Sequence, residues 1–294
     1  MVRRAIQRAA ACLLLGGLVS VGFTQPVLAA CIAETDPARA LTRMLDAHHQ
    51  VSYRGTLIYE RASGRQFFTV EWPADGASGE LTPMNAGVDP MPERWSPPTV
   101  ADYQLCALLD VYVPTLDPGR VVSGRATQRL TLRPRDTLRH AYVAEIDERT
   151  GMALSMATVA PDGKFLDRFE FAAIEFLERG INDGAGSDGR SAHHTQAAPS
   201  LGVSPVPGYF VVAKDDPRSL FVVSDGLATA SIFIEPLPPN VPAGEGAVLD
   251  GATLTYSRGI IPNGKPILIS VLGEIPITTA RLLADAVSTG REIP

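Results

Sequence analysis

Lysine is nearly missing. The 294 residues hold it only at positions 164, 214 and 265, so arginine carries almost all the positive charge. Acidic residues outnumber basic ones, 32 against 26. A chain this poor in clustered cations is not built to neutralise a phosphate backbone, which excludes nucleic acid as a partner. Cysteine is scarce too, at positions 12, 31 and 106, too few for a disulfide-stapled scaffold. No run of 18 apolar residues follows the first thirty, so no later segment reads as a membrane-spanning helix.

Chemical signatures are equally thin. His48-His49 and His193-His194 are adjacent pairs whose side chains diverge, and His140 stands alone. No HExxH or CxxC motif accompanies them, so no metal site is expected. The serine-hydrolase elbow GxSxG and the glycine-rich phosphate loop are absent. Cys106 sits in the apolar stretch from Tyr103 to Leu109 and reads as a buried hydrophobe. Glu145, Asp147 and Glu148 fall at strand ends and turns, where solvation accounts for them. The expectation is a protein without catalysis, cofactor or metal.

What is present starts with an export signal over residues 1–30. Arg3, Arg4 and Arg8 form a positive n-region, an apolar run spans Ala11 to Phe23, and Val27-Leu28-Ala29-Ala30 suits a signal peptidase. Losing those three arginines leaves 23 basic residues against 32 acidic ones, a net charge of −9. Leu28-Ala29-Ala30-Cys31 also resembles a lipobox, in which Cys31 becomes a lipidated N-terminus at a membrane surface. The other reading is plain cleavage after Ala29 or Ala30, after which Cys31 and Cys106 are an even pair able to form one disulfide in the periplasm. Both readings stand on the sequence.

Residues 35–49 read as an amphipathic helix, capped by Thr35 or Asp36, with Pro37 in its first turn and Leu41, Met44, Leu45 and His48 on one face. The period then changes to two. Tyr53 to Arg61 and Gln66 to Trp72 form a hairpin around Ser63-Gly64. Residues 73–98, rich in proline, read as a long loop. Strands follow at Val111–Val113, Thr127–Arg133, Arg139–Asp147, Ala153–Val159 and Phe165–Phe176, an antiparallel meander. Such a sheet with a helix across one side is an open half-barrel. Its concave face can hold an apolar ligand, and Leu57, Tyr59, Phe68, Val70 and Trp72 are the lining candidates.

Residues 180–199 are polar, glycine-rich and almost free of large apolar side chains, the composition of a flexible linker. Beyond it, strands are expected at Gly208–Ala213, Leu220–Ser224, Leu227–Glu235, Thr253–Ser257 and Pro266–Leu272. Asp225-Gly226 is a hairpin turn, and Pro276–Ser288 is a helix with Ile277, Ala280, Leu283, Ala284 and Val287 as its apolar stripe. The fold class is α+β: an antiparallel half-barrel with a helix over 34–179, then a smaller α+β domain over 200–294.

The order of several stretches resembles the MucB/RseB family of periplasmic sigma-E regulators. They are Tyr53-Arg54-Gly55-Thr56-Leu57-Ile58-Tyr59, Val122-Ser123-Gly124-Arg125, Tyr142 to Asp147, Thr150 to Leu154, Pro205 to Phe210, Val223 to Leu227 and Gly273-Glu274-Ile275-Pro276. The resemblance implies a lipoprotein-carrier-like N-terminal domain and a smaller C-terminal domain. It implies a partner, the periplasmic part of a transmembrane anti-sigma factor of the RseA/MucA type, shielded from proteolysis and released by lipopolysaccharide or acyl ligands. An anionic lipid head would call on arginines such as Arg54, Arg61 or Arg65. Two departures stand out: residues 73–98 replace a longer strand-rich region, and Ala126-Thr127 lies where family members often carry a cysteine. The alternative function is a periplasmic lipid or lipoprotein carrier without a regulatory role.

Overall fold

A computed structural model describes residues 35–73, 79–84, 102–177, 202–203, 206–215 and 219–288. The signal segment expected at 1–30, with Ala30, the adjoining Cys31, and the linker expected at 180–199 lie outside the described residues. Helix α1, Asp36–Gln50, begins where Thr35 takes the extended cap position, although the Thr35 side chain makes no capping bond. Its apolar face is the expected one: Leu41, Met44 and Leu45 are buried, joined by Ala38, Ala40 and Ala47.

Strands β1, Ser52–Arg61, and β2, Gly64–Trp72, form the expected hairpin. Within the stretch read as a loop, β3, Glu80–Pro83, adds a short edge strand. Helix α2, Asp102–Val111, leads into β4, Tyr112–Pro118, and then β5, Thr127–Pro134, β6, Ala141–Asp147, β7, Ala153–Val159, and β8, Phe165–Leu177. All pair antiparallel, and β8 returns to lie beside β1, giving one eight-stranded sheet in the order β3-β2-β1-β8-β7-β6-β5-β4. Register shifts at Thr56/Leu57, Glu145/Ile146 and Thr158/Val159 are bulges, which bend a sheet and raise its twist. The concave face is filled. Leu41, Met44 and Leu45 of α1 and Leu108 of α2 pack on Tyr112, Leu130, Leu132, Tyr142, Ala144 and Ile146.

A second sheet of seven strands has the order β13-β14-β15-β12-β11-β10-β9. Its members are β9, Gly202–Val203, β10, Phe210–Asp215, β11, Leu220–Ser224, β12, Thr229–Pro236, β13, Gly244–Asp250, β14, Thr253–Ile260, and β15, Ile267–Gly273. Helix α3, Ile277–Ser288, lays Ala280, Leu283 and Ala284 on Val211, Val223, Ile232, Tyr256, Ile269 and Val271. Ile277, read as part of that stripe, is 38% exposed at the first turn of the helix. Strand β13 was not legible: all seven of its residues are exposed, so no alternation marks it. Two sheets, each with its own apolar cluster, give the expected α+β class.

Candidate functional site

Of the lining candidates, Leu57, Phe68, Val70 and Trp72 are buried in one cluster with Tyr53, Met152, Leu154 and Phe171. Cross-strand register builds that cluster, setting Leu57 opposite Phe68 and Tyr53 opposite Trp72. Tyr59 is half-buried, and its hydroxyl donates to Asp167 at 2.8 Å. A cleft of about 520 Å³ lies elsewhere, walled by Arg54, Glu71, Glu80 and Glu175, with Val70 the one lining candidate that reaches it. The arginines considered for a lipid head are engaged: Arg54 with Glu175 at 2.9 Å, Arg65 with Glu60 at 2.8 Å, and Arg61 with Asp250.

Of the acidic residues at the β6 end, Glu148 is exposed as expected, but Glu145 and Asp147 are not solvated. Glu145 is 4% exposed and accepts from Arg129 at 2.7 Å, Thr127 at 2.9 Å and the Arg120 amide at 3.2 Å. Asp147 is 1% exposed and is held by both arms of Arg125, at 2.8 and 3.0 Å. Burial pushes the Asp147 carboxyl up, but the hydrogen bonds from Arg125 and Thr150 outweigh it and hold the pKa below the ordinary value. These carboxylates bind their own chain's arginines and stand ready for nothing else.

A buried polar cluster joins the two sheets. Arg139, in the turn between β5 and β6, has no exposed surface and sets its Nε 3.2 Å from the Asp225 carboxylate, which is buried as well. Its other nitrogens donate to Asp136 and to the Pro207 carbonyl, and the guanidinium lies 4.8 Å over the Tyr209 ring. Asp225 also takes the Tyr112 hydroxyl at 3.1 Å and the amides of Leu227 and Ala228 at 2.9 and 2.8 Å. Burial pushes this carboxyl up, while those donors and Arg139 pull it back. Tyr209 and Thr279 both donate to the Leu138 carbonyl, at 3.1 and 2.7 Å. Gly208 is required here: its φ is +73°, and a Cβ would stand 2.3 Å from Arg139 Nη2. Asp225-Gly226 is legible as a turn, but nothing local marks the turn as a junction.

His140, beside Arg139, is buried, and burial drives its pKa down to about 4 against the opposing pull of Asp167 and the Ile275 backbone. The side chains of His48 and His49 and the whole of His193-His194 lie outside the described residues. Among the described residues, no three His, Cys, Asp or Glu side chains are placed to hold a metal, and no helix is long and apolar enough to cross a membrane. Cys106 on α2 is disulfide-bonded, while Cys31 lies outside the described residues.

Comparison with known proteins assigns the lineage. The MucB/RseB N-terminal domain model matches residues 85–198, and the MucB/RseB C-terminal domain model matches 205–288. The chain belongs to the MucB/RseB family. Within this family it is 27% identical to the sigma factor AlgU regulatory protein MucB of Pseudomonas aeruginosa, over 92% of this chain and 94% of that protein. It is also 27% identical to the sigma-E factor regulatory protein RseB of Haemophilus influenzae, over 56% of each. The solved complex of Pseudomonas aeruginosa MucA and MucB shares the fold, with a TM-score of 0.65 and 23% identity over 85% of this chain and 97% of that one. MucB bound to MucA(peri) gives 0.63 at 24% identity over the same shares. The N-terminal match begins at 85, so α1 and the first hairpin of this MucB/RseB member lie before it, although the hairpin completes the same sheet and α1 packs on it.

Proposed function

We propose that this chain is a periplasmic negative regulator of the envelope stress response. In this reading it binds the periplasmic part of a transmembrane anti-sigma factor, shields it from proteolysis, and is released by lipopolysaccharide or related acyl ligands. One observation carries the proposal: the likeness to MucB runs through both sheets and nearly the whole length of both proteins. The domain division at 34–179, 180–199 and 200–294, after a signal at 1–30, belongs to the same proposal. So does placement in the periplasm, with tethering only if Cys31 is lipidated. In this reading the chain works by binding, and Glu145, Asp147 and Asp225 are held by arginines of the same chain.

The acyl ligand enters this reading only with a rearrangement. Leu57, Phe68, Val70 and Trp72 are packed against Tyr53 and Phe171, so an acyl chain reaches them by parting that cluster. That burial favours a regulator over a standing lipid carrier. The test is capture with the tagged mature chain from envelope extracts of the native bacterium. Recovery of the membrane-bound anti-sigma factor supports the proposal; eluates rich in the chain but free of that factor overturn it.

A further inference from the structure

Among the described residues, two of the contacts between the sheets differ in construction. The first is the Arg139 socket, where apolar side chains are exchanged as well as polar ones: Leu138 packs against the C-terminal cluster, and Leu227 packs against the N-terminal one. The second is formed by the β13–β14 turn against β1 and β8. There Asp250 takes Arg61 and Ser63, and the Ala252 amide donates to Asp167 at 2.9 Å. Gly251 makes that approach feasible, because its φ is +61° and a Cβ would meet Asp167 Oδ2 at 3.0 Å.

The second contact lacks what fastens the first. Ala252 and Asp167 are buried, at 1% and 6% exposed, but neither Asp250 nor Ala252 joins an apolar cluster, and the Arg61–Asp250 pair that covers their bond is 24% and 51% exposed. An exposed ion pair contributes at most about 1 kcal/mol and weakens with salt. A buried pair with exchanged apolar groups holds one geometry and is lost only at large cost. Local opening begins where buried apolar contact is least.

We infer that the C-terminal sheet is hinged on the Arg139–Asp225 socket and closed by a releasable clasp, Arg61–Asp250 with Asp167–Ala252. The clasp opens while the socket stays shut. Opening removes the Ala252 amide from Asp167 and leaves that carboxylate with the Tyr59 hydroxyl, at the rim of the N-terminal apolar cluster. The motion is a property of the chain alone and does not depend on the anti-sigma partner.

Two sets of amides report the two contacts separately. The Ala252 amide is bonded to Asp167 in the clasp, and the Leu227 and Ala228 amides are bonded to Asp225 in the socket. Residue-resolved hydrogen exchange on the mature full chain, corrected for intrinsic rates, is expected to show Ala252 opening at least about tenfold more often than Leu227 and Ala228. Raising salt from about 0.05 M to about 0.5 M should increase exchange at Ala252 and leave the socket amides unchanged. Asp250→Asn, a surface change, should do the same at low salt. Equal protection of the two sets in the unmodified chain would overturn the inference. So would salt or Asp250→Asn loosening both sets together, since the contacts would then act as one unit.

Discussion

Arg139 and Asp225 face each other at 3.2 Å, with no exposed side-chain surface on either, and they belong to different sheets. Asp225 is a turn residue whose oxygens take two backbone amides of its own hairpin and the Tyr112 hydroxyl of the other sheet. Removing one member leaves the other charged and dry. Asp225→Ala is therefore expected to destabilise the protein by about 3–5 kcal/mol. Arg54→Ala, which breaks an ion pair 60% and 61% exposed, should cost no more than about 1 kcal/mol. Urea denaturation of the two variants against the parent measures both.

His140 makes stability fall in acid. Its folded pKa is about 4, against about 6.5 in an unfolded chain. The unfolded state thus binds more protons between those values, and stability drops as pH falls through that window. From pH 7 to pH 5 the imidazole alone should remove about 2 kcal/mol. The slope difference between the parent and His140→Gln in denaturation curves at the two pH values isolates it. A variant with the parent's slope contradicts the assignment.

The sequence-level reading succeeded where burial is local and failed where it is assembled from afar. Leu41, Met44 and Leu45 announced the α1 face because a helix buries every third or fourth residue against one surface. Glu145 and Asp147 looked solvated because the arginines that cover them, Arg129 and Arg125, stand 16 and 22 positions away. The only hint was parity: Tyr142, Ala144 and Ile146 take the core face of β6 and leave Glu145 on the other. Asp225-Gly226 was legible as a turn, but the burial of Asp225 depends on Arg139 and Tyr112 of the other sheet. Strand β3 was masked by prolines, and β13 by exposure on both faces.

Phe68 decides between a filled core and an open ligand face. It is 1% exposed. Phe68→Ala should cost about 3–5 kcal/mol, as a core truncation does. A loss under about 1 kcal/mol, measured by the same denaturation, would mean that the ring lines a solvated cavity.

Cys31 is expected to carry no lipid. Cys106 is disulfide-bonded, the sequence has three cysteines, and cleavage of the proposed signal removes Cys12. A sulfur in a disulfide cannot also hold a thioether lipid. Intact mass of the mature chain should lie about 2 Da below the reduced value and return on reduction. An added diacylglyceryl mass contradicts the pairing.

Regulation by binding an anti-sigma factor is decided by calorimetric titration of the purified mature chain with the purified periplasmic segment of that factor from the same bacterium. A saturable complex with a Kd of about 1 μM or tighter is expected. No heat of binding and no co-elution at about 100 μM of each component, with both proteins folded, would contradict it.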